Sequence, residues 1–268
     1  MKVVLFCGGL GLRMREHSDR VPKPMVPIGN RPVLWHVMKY YAHFGHKDFI
    51  LCLGHKAEVI KSYFLSYDET VSNDFVITDG GRNVELLRSD IDDWRITFVD
   101  TGLRANIGER LMKVRKHLDG EEIFLANYAD AVTDAPLPRL IEALERSDNV
   151  ASMLCVRPAL SFHLVSTDGD VVTAIEDVSR SEFWINGGYF VLRNEIFDYM
   201  NKGEELVIET FQRLMAQRRL HAYRYDGFFA QMDTLKDKTN LDSMVEEGNT
   251  PWRVWENGVP VEDLPARA

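Results

Sequence analysis

An apolar run of strand length, Val3-Val4-Leu5-Phe6-Cys7, empties directly into Gly8-Gly9-Leu10-Gly11-Leu12-Arg13, and Pro22-Lys23-Pro24-Met25 follows shortly after. This opening constrains the chain more than any other stretch. Glycines carry no Cβ, so their backbone N–H groups can approach an anion closely and line a concave nest. Arg13 can add a two-pronged guanidinium and Lys23 a point charge. The prolines on either side of Lys23 fix φ and narrow the ensemble from which that lysine is recruited. Together these residues read as a triphosphate cradle at the carboxyl end of the first strand of an α/β sheet.

A glycine turn by itself is weak evidence, because plain turns also use it. Two well-defined patterns are excluded. A P-loop needs Lys-Ser or Lys-Thr after its last glycine, and Leu12-Arg13 stands there instead. A dinucleotide-binding turn needs a third glycine opening a helix, whereas here prolines follow. What remains is G-G-x-G-x-R followed by P-K-P-M.

The rest of the chain alternates strand and helix. Val33, Leu34, Val37, Met38, Tyr41 and Phe44 recur at helical spacing until Gly45, Asp48 to Leu53 is a strand, and Val59, Ile60, Tyr63 and Phe64 mark another helix. Such short βαβ units predict a parallel sheet. Residues 67–95 break the rhythm, with Asp79-Gly80-Gly81 as a turn in an extended excursion or hairpin. Strands then follow at Arg95–Val99, Glu122–Asn127, Val150–Val156 and Ile185–Leu192, and a hairpin is expected around Asp168-Gly169. A helix is expected over Val207–Ala216, a strand over Phe228–Met232 and a last helix over Leu235–Gly248. No repeat or linker composition appears, so residues 1–268 read as a single domain with a draped tail from about 250 to 268.

Composition removes several classes of function. The net charge is −9 and the basic residues are scattered, which argues against nucleic acid and against an anionic membrane surface. No run approaches a transmembrane length and the N-terminus passes straight into a strand, so a cytoplasmic protein is expected. Cys7, Cys52 and Cys155 lie far apart in apolar runs and read as small buried hydrophobes rather than disulfide or zinc partners.

Triphosphate and acceptor phosphate repel each other, so a cation is needed. Magnesium prefers one or two carboxylates with phosphate oxygens and waters. Asp130 follows the strand Glu122–Asn127 and Asp233 follows Phe228–Met232, both at the edge where α/β sheets bind ligands. Either aspartate alone could cap a helix or turn. As a pair beside the glycine turn they point to metal ligation.

The glycine turn with P-K-P-M resembles the nucleotide-binding signature of the sugar-1-phosphate nucleotidyltransferases. The likeness to the glucose-1-phosphate cytidylyltransferases runs along nearly the whole chain, through L-W-H-x-M-K at 34–39, V-D-T-G at 99–102, Gly108-x-Arg110-Leu111, I-N-G-G at 185–188, M-D-T-x-x-D-K at 232–238 and P-W-x-x-W-E at 251–256. The resemblance implies a three-layer, Rossmann-like mixed α/β sheet of the nucleotide-diphospho-sugar transferase type. It implies transfer of CMP from CTP to a sugar 1-phosphate, with Mg²⁺ and release of pyrophosphate. Carried over by position, Gly8, Gly9, Leu10 and Gly11 would hold the nucleotide through backbone, Arg13 would grip the β,γ-phosphates, and Lys23 would reach the α-phosphate. Thr101, Gly102 and Arg110 match the nucleotide pocket, Asn186 and Gly187 the sugar contacts, and Asp130 and Asp233 the magnesium carboxylates. A homo-oligomer is expected, with residues 67–94 and the tryptophan tail as subunit contacts.

Departures bear on the acceptor. Leu12 replaces a threonine, Ala129 and Ala131 replace glycines, His163 replaces a glycine near the sugar, and Asp177 stands where the family has a phosphate-anchoring lysine. A carboxylate repels an anionic acceptor, so either Arg180 or Arg157 supplies the missing charge or the acceptor is not an ordinary hexose 1-phosphate. Two alternatives therefore stand beside the first reading: use of dTTP, UTP or a different phosphate acceptor, and a catalytically weak nucleotide-binding regulator. Four other features are read as structural. Asp168-Gly169-Asp170 is a hairpin turn rather than a metal motif, His36 and the trio Phe211, Leu214 and Met215 are core, and Glu204-Glu205 are solvated helix charges.

Overall fold

The computed structural model describes residues 1–9, 21–158, 163–178 and 181–256. Leu10, Gly11, Leu12, Arg13 and Arg180, named above, lie outside the described residues.

β1 (Lys2–Phe6) sends Val3 and Leu5 into one apolar cluster and Val4 and Phe6 into another. A strand buried on both faces needs a layer on each side. β2 (Pro27–Ile28) and β3 (Arg31–Pro32) form a small antiparallel pair that leads into α1 (Val33–His43). Gly45 follows α1 with φ +86°, where a side chain would be strained. β4 (Asp48–Leu53), which pairs parallel with β1, and α2 (Ala57–Leu65) follow. The excursion contains the hairpin β5 (Phe75–Thr78) and β6 (Asn83–Leu86), all of whose residues are exposed, before β7 (Arg95–Asp100) rejoins the sheet.

α3 (Ile107–Val114), β8 (Ile123–Asn127), β9 (Ala131–Thr133), α4 (Leu137–Glu145) and β10 (Ala151–Val156) follow. The expected hairpin is β11 (His163–Asp168) with β12 (Val171–Asp177), and Gly169 takes the turn at φ +57°. Then come β13 (Ile185–Arg193), α5 (Phe211–Ala216), β14 (Leu220–Tyr225), β15 (Phe229–Gln231) and α6 (Leu235–Glu246). The helix expected from Val207 is divided, with a π-helical turn over Leu206–Thr210 ahead of α5. Met215 is 54 % exposed and is not core, although Phe211 and Leu214 are.

Seven strands make the central sheet in the order β14-β10-β13-β8-β1-β4-β7. β1 runs parallel to β4 and β8, and β13 runs antiparallel to its neighbours β8 and β10, so the sheet is mixed. α1, α2, α4 and α6 contribute to the cluster on one face, α3 and α5 to that on the other. This is the three-layer, mixed α/β arrangement that the resemblance implied, whereas strand–helix alternation alone had led us to expect a parallel sheet. Trp252 is 1 % exposed and stacks on Phe228 at 5.4 Å, which seats the start of the tail in the first cluster. All three cysteines are free and buried.

Candidate active site

The two aspartates are brought together by a pair of very short strands. β9 and β15 lie antiparallel with Ala131 opposite Gln231, and Met232 N donates to Asp130 O at 2.8 Å. Asp130 and Asp233 therefore flank the same end of one two-stranded ribbon. Asp233 is not spent on capping α6, because Thr234 accepts from Asp237 N and Asp237 reciprocates in a capping box. Both carboxylates meet on one cation: Lys23 Nζ donates to Asp130 Oδ2 at 2.6 Å and to Asp233 Oδ1. The three side chains are 14 %, 15 % and 16 % exposed. Lys23 is delivered by a 3₁₀ turn over Lys23–Met25, in which Val26 N donates to Lys23 O at 3.1 Å.

Beside this trio, Arg110 ties three strand ends into one surface. It projects from α3, whose first turn is fixed by a capping box between Asn106 and Glu109. Its Nη2 donates to Gly8 O at 2.9 Å, and its Nη1 donates to Leu53 O at 3.1 Å and to Thr101 Oγ1 at 2.6 Å. Thr101 in turn donates its hydroxyl to Leu53 O at 2.7 Å. The termini of β1, β4 and β7 are thus held by one guanidinium. Burial lowers its pKa from the usual arginine value. Gly8 is needed here for a packing reason, since a Cβ would lie 2.0 Å from Arg110 Nη1. Gly9 is different: it is exposed, and among the described residues a Cβ would meet nothing within 4 Å.

A cavity of about 350 Å³ opens over these groups. Among the described residues, Gly9, Lys23, Pro24 and Asp130 line it together with Arg110, Tyr128, Asn106 and Glu205. Thr101 is fully buried beneath Arg110 and backs the cavity rather than lining it. Gly102 makes the turn above Thr101 with φ +89°, its N–H donating to Asp100 Oδ1 at 2.9 Å.

Tyr128 connects this cavity to Asn186 and the glycines that follow it. Asn186 Nδ2 donates to Tyr128 Oη at 3.3 Å, and Asn186 Oδ1 accepts from Gly188 N at 2.9 Å. Gly187 sits against Leu154, and Gly188 adopts φ +75° with the Tyr128 ring where a Cβ would project. Arg157 follows Val156, which pairs with Ile185, so it stands at the same sheet edge as Asn186. Its guanidinium is held by Asp226 Oδ1 at 3.1 Å and Ser181 O at 2.7 Å, and lies 4.0 Å over the Trp184 ring.

Two comparisons give this geometry a family. The model of the nucleotidyl transferase family, described as "Nucleotidyl transferase", matches residues 2–234. The chain belongs to that family. A glucose-1-phosphate cytidylyltransferase of Salmonella typhi is 35 % identical over 258 residues, covering 96 % of this chain and all of that protein. A D-glycero-alpha-D-manno-heptose 1-phosphate guanylyltransferase of Campylobacter jejuni is 27 % identical over 240 residues, covering 88 % of this chain and 96 % of that one. A solved UDP-glucose pyrophosphorylase in complex with UDP-glucose superimposes with a TM-score of 0.67 at 16 % identity, covering 92 % of this chain and 98 % of that one, and so shares its fold.

For a nucleotidyltransferase the donor set is chemically apt. Two carboxylates already share a cation, which is the charge pattern a magnesium ion with phosphate and water ligands would use. Among the described residues no group of three or more His, Cys, Asp or Glu forms a cage. Among the described residues no helix is long and apolar enough to cross a membrane.

His36 is core, as read: its Nε2 lies 3.1 Å from Ile28 O, its Nδ1 accepts from Trp252 Nε1, and burial lowers its pKa to about 3. The pair Glu204-Glu205 corrects the sequence reading. Glu204 pairs with Arg213, while Glu205 lines the cavity and accepts from Val207 N at 2.7 Å. Sequence offered no sign of Glu205, which lies far along the chain. Asn106 could have been found, since Asn106-x-x-Glu109 is a helix-start pattern.

Proposed function

We propose that this enzyme transfers CMP from CTP to a sugar 1-phosphate and releases pyrophosphate. The observation that carries the reading is the meeting of Asp130 and Asp233 on one cation beside the glycine turn. The choice of CTP rests on full-length similarity to the Salmonella typhi cytidylyltransferase. Backbone N–H groups of Gly8 and Gly9 would cradle phosphate, together with Leu10 and Gly11. Arg13 would grip the β,γ-phosphates and steady the pyrophosphate as it leaves. Arg110 orders the cradle by tying Gly8 to Leu53 and Thr101, with Gly102 completing the turn. Asp130 and Asp233 would hold Mg²⁺. When bound, that ion neutralises phosphate charge and makes the α-phosphorus more electrophilic.

The acceptor's phosphate oxygen attacks the α-phosphorus in line, the new P–O bond forms, and the bond to the β-phosphate oxygen breaks with pyrophosphate taking the electron pair. No nucleophilic side chain is required, so positioning and positive charge carry the rate. Asn186 and Gly187 would contact the sugar. Arg180 remains the residue proposed to meet the acceptor phosphate in place of the family's lysine, since Arg157 is engaged by Asp226, Ser181 and Trp184. An Arg180→Ala protein with an unchanged acceptor KM would remove it from that role.

The protein is read as cytoplasmic and homo-oligomeric. Phe75 pairs with Leu86 and Ile77 with Val84, which puts four exposed apolar side chains on one face of the hairpin. Light scattering at several concentrations reports the assembly. For the reaction, pyrophosphate release is measured with each of CTP, UTP, dTTP and GTP across a panel of sugar 1-phosphates. Preference for CTP supports the reading, preference for another base replaces it, and release with none alongside tight CTP binding favours a regulatory role.

A further inference from the structure

Lys23 stands between the two carboxylates proposed above to hold the divalent metal. Its ammonium bridges Asp130 and Asp233, and all three side chains are largely withdrawn from water. Two carboxylates this close repel each other unless a cation lies between them, and here the chain supplies that cation itself. We propose that Lys23 holds the metal position in the nucleotide-free protein, so that a divalent ion enters together with a triphosphate that draws the ammonium away. This deepens the proposed function and rests on it for the identity of the anion.

The geometry supports a side chain that can swing while its backbone stays. Pro22 and Pro24 restrict the main chain around Lys23, and Met25 N donates to Pro22 O at 2.8 Å within the turn. The lysine's stem is flexible, with an ammonium that forms point contacts rather than a rigid fork. Gly9, Lys23 and Asp130 line one cavity, so a triphosphate bound there beside the glycine turn would meet that ammonium. Moving Lys23 onto phosphate frees the carboxylate oxygens it now holds, while phosphate oxygens provide the further ligands magnesium prefers. Nucleotide and metal then raise each other's affinity by one and the same factor.

The test is equilibrium Mn²⁺ binding, followed by the electron paramagnetic resonance signal of the free ion, on the whole protein without nucleotide. Wild type is expected to bind Mn²⁺ weakly. Lys23→Met and Lys23→Gln are expected to bind it about tenfold more tightly or better, since the competing cation is gone. Adding Asp130→Asn to Lys23→Met should abolish that gain. Circular dichroism establishes which variant is folded. Equal affinity in wild type and a folded Lys23 variant overturns the proposal, and so does a tight wild-type site in the absence of nucleotide, whatever the variants do. A non-hydrolysable triphosphate of each base is then added to wild type. Recruitment of Mn²⁺ by none of them, with the nucleotide-free result intact, refutes the functional reading and leaves the Lys23 bridge standing.

Discussion

Replacing Gly8 with alanine separates packing from chemistry in the glycine turn. The new methyl would stand 2.0 Å from Arg110 Nη1, 2.3 Å from Cζ and 2.7 Å from Nη2, so the guanidinium must leave. It would give up bonds to Gly8 O, Leu53 O and Thr101 Oγ1, all in a buried place. Overpacking costs about 1–3 kcal/mol, and each charge-assisted bond contributes about 1.5–3 kcal/mol. The displaced group can turn into the cavity and recover water, so a net loss of about 3 kcal/mol is expected. That should lower the urea midpoint by about 1 M with an unchanged slope. Because three strand ends lose their tie, kcat/KM should fall about a hundredfold. Gly9→Ala is the control: its methyl meets none of the described residues within 4 Å, so its stability should stay within about 0.5 kcal/mol of wild type while activity falls. In an Arg110→Ala background, Gly8→Ala should cost little more. An unchanged midpoint for Gly8→Ala, or losses that simply add to those of Arg110→Ala, would refute this reasoning.

Acid should weaken the fold through His36. Its folded pKa of about 3 lies below the unfolded value, so its stability is complete above about pH 6.5 and drains away as pH falls toward 3. Between pH 6.5 and 5 this amounts to about 2 kcal/mol, and a His36→Gln protein should lose correspondingly less in urea titrations at the two pH values. Ala129 holds φ at +60° but its methyl is fully buried, so in Ala129→Gly the released strain and the lost burial should offset each other, leaving the stability read from the urea midpoint within about 1 kcal/mol of wild type. Trp252→Ala should cost about 3–5 kcal/mol in a thermal or urea melt, because the ring is buried and its N–H donates to His36.

The central sheet was legible because its strands are continuous apolar runs cut by glycine and aspartate. Val3 to Phe6, Phe49 to Leu53 and Phe124 to Asn127 all lie where their periodicity put them. Less was legible at the scale of three residues. β15 was expected as a strand, but β9 is too short for alternation to mark it, and the pairing of the two is what sets Asp130 beside Asp233. The aspartates themselves could be named, since each follows an apolar strand-like run. Their shared partner could not, because an ion pair between residues 23 and 233 leaves no local pattern. Arg110 was legible as a position in a motif, but its use as a tie between Gly8, Leu53 and Thr101 depends on the sheet's three-dimensional edge.

Pyrophosphate release by Asp130→Asn and Asp233→Asn, at saturating CTP and the best sugar 1-phosphate, tests the account most directly. Each change should leave a folded protein whose kcat is lower by about a thousandfold, because the cation that both carboxylates hold can no longer be shared. Release within tenfold of wild type from either variant would contradict the account.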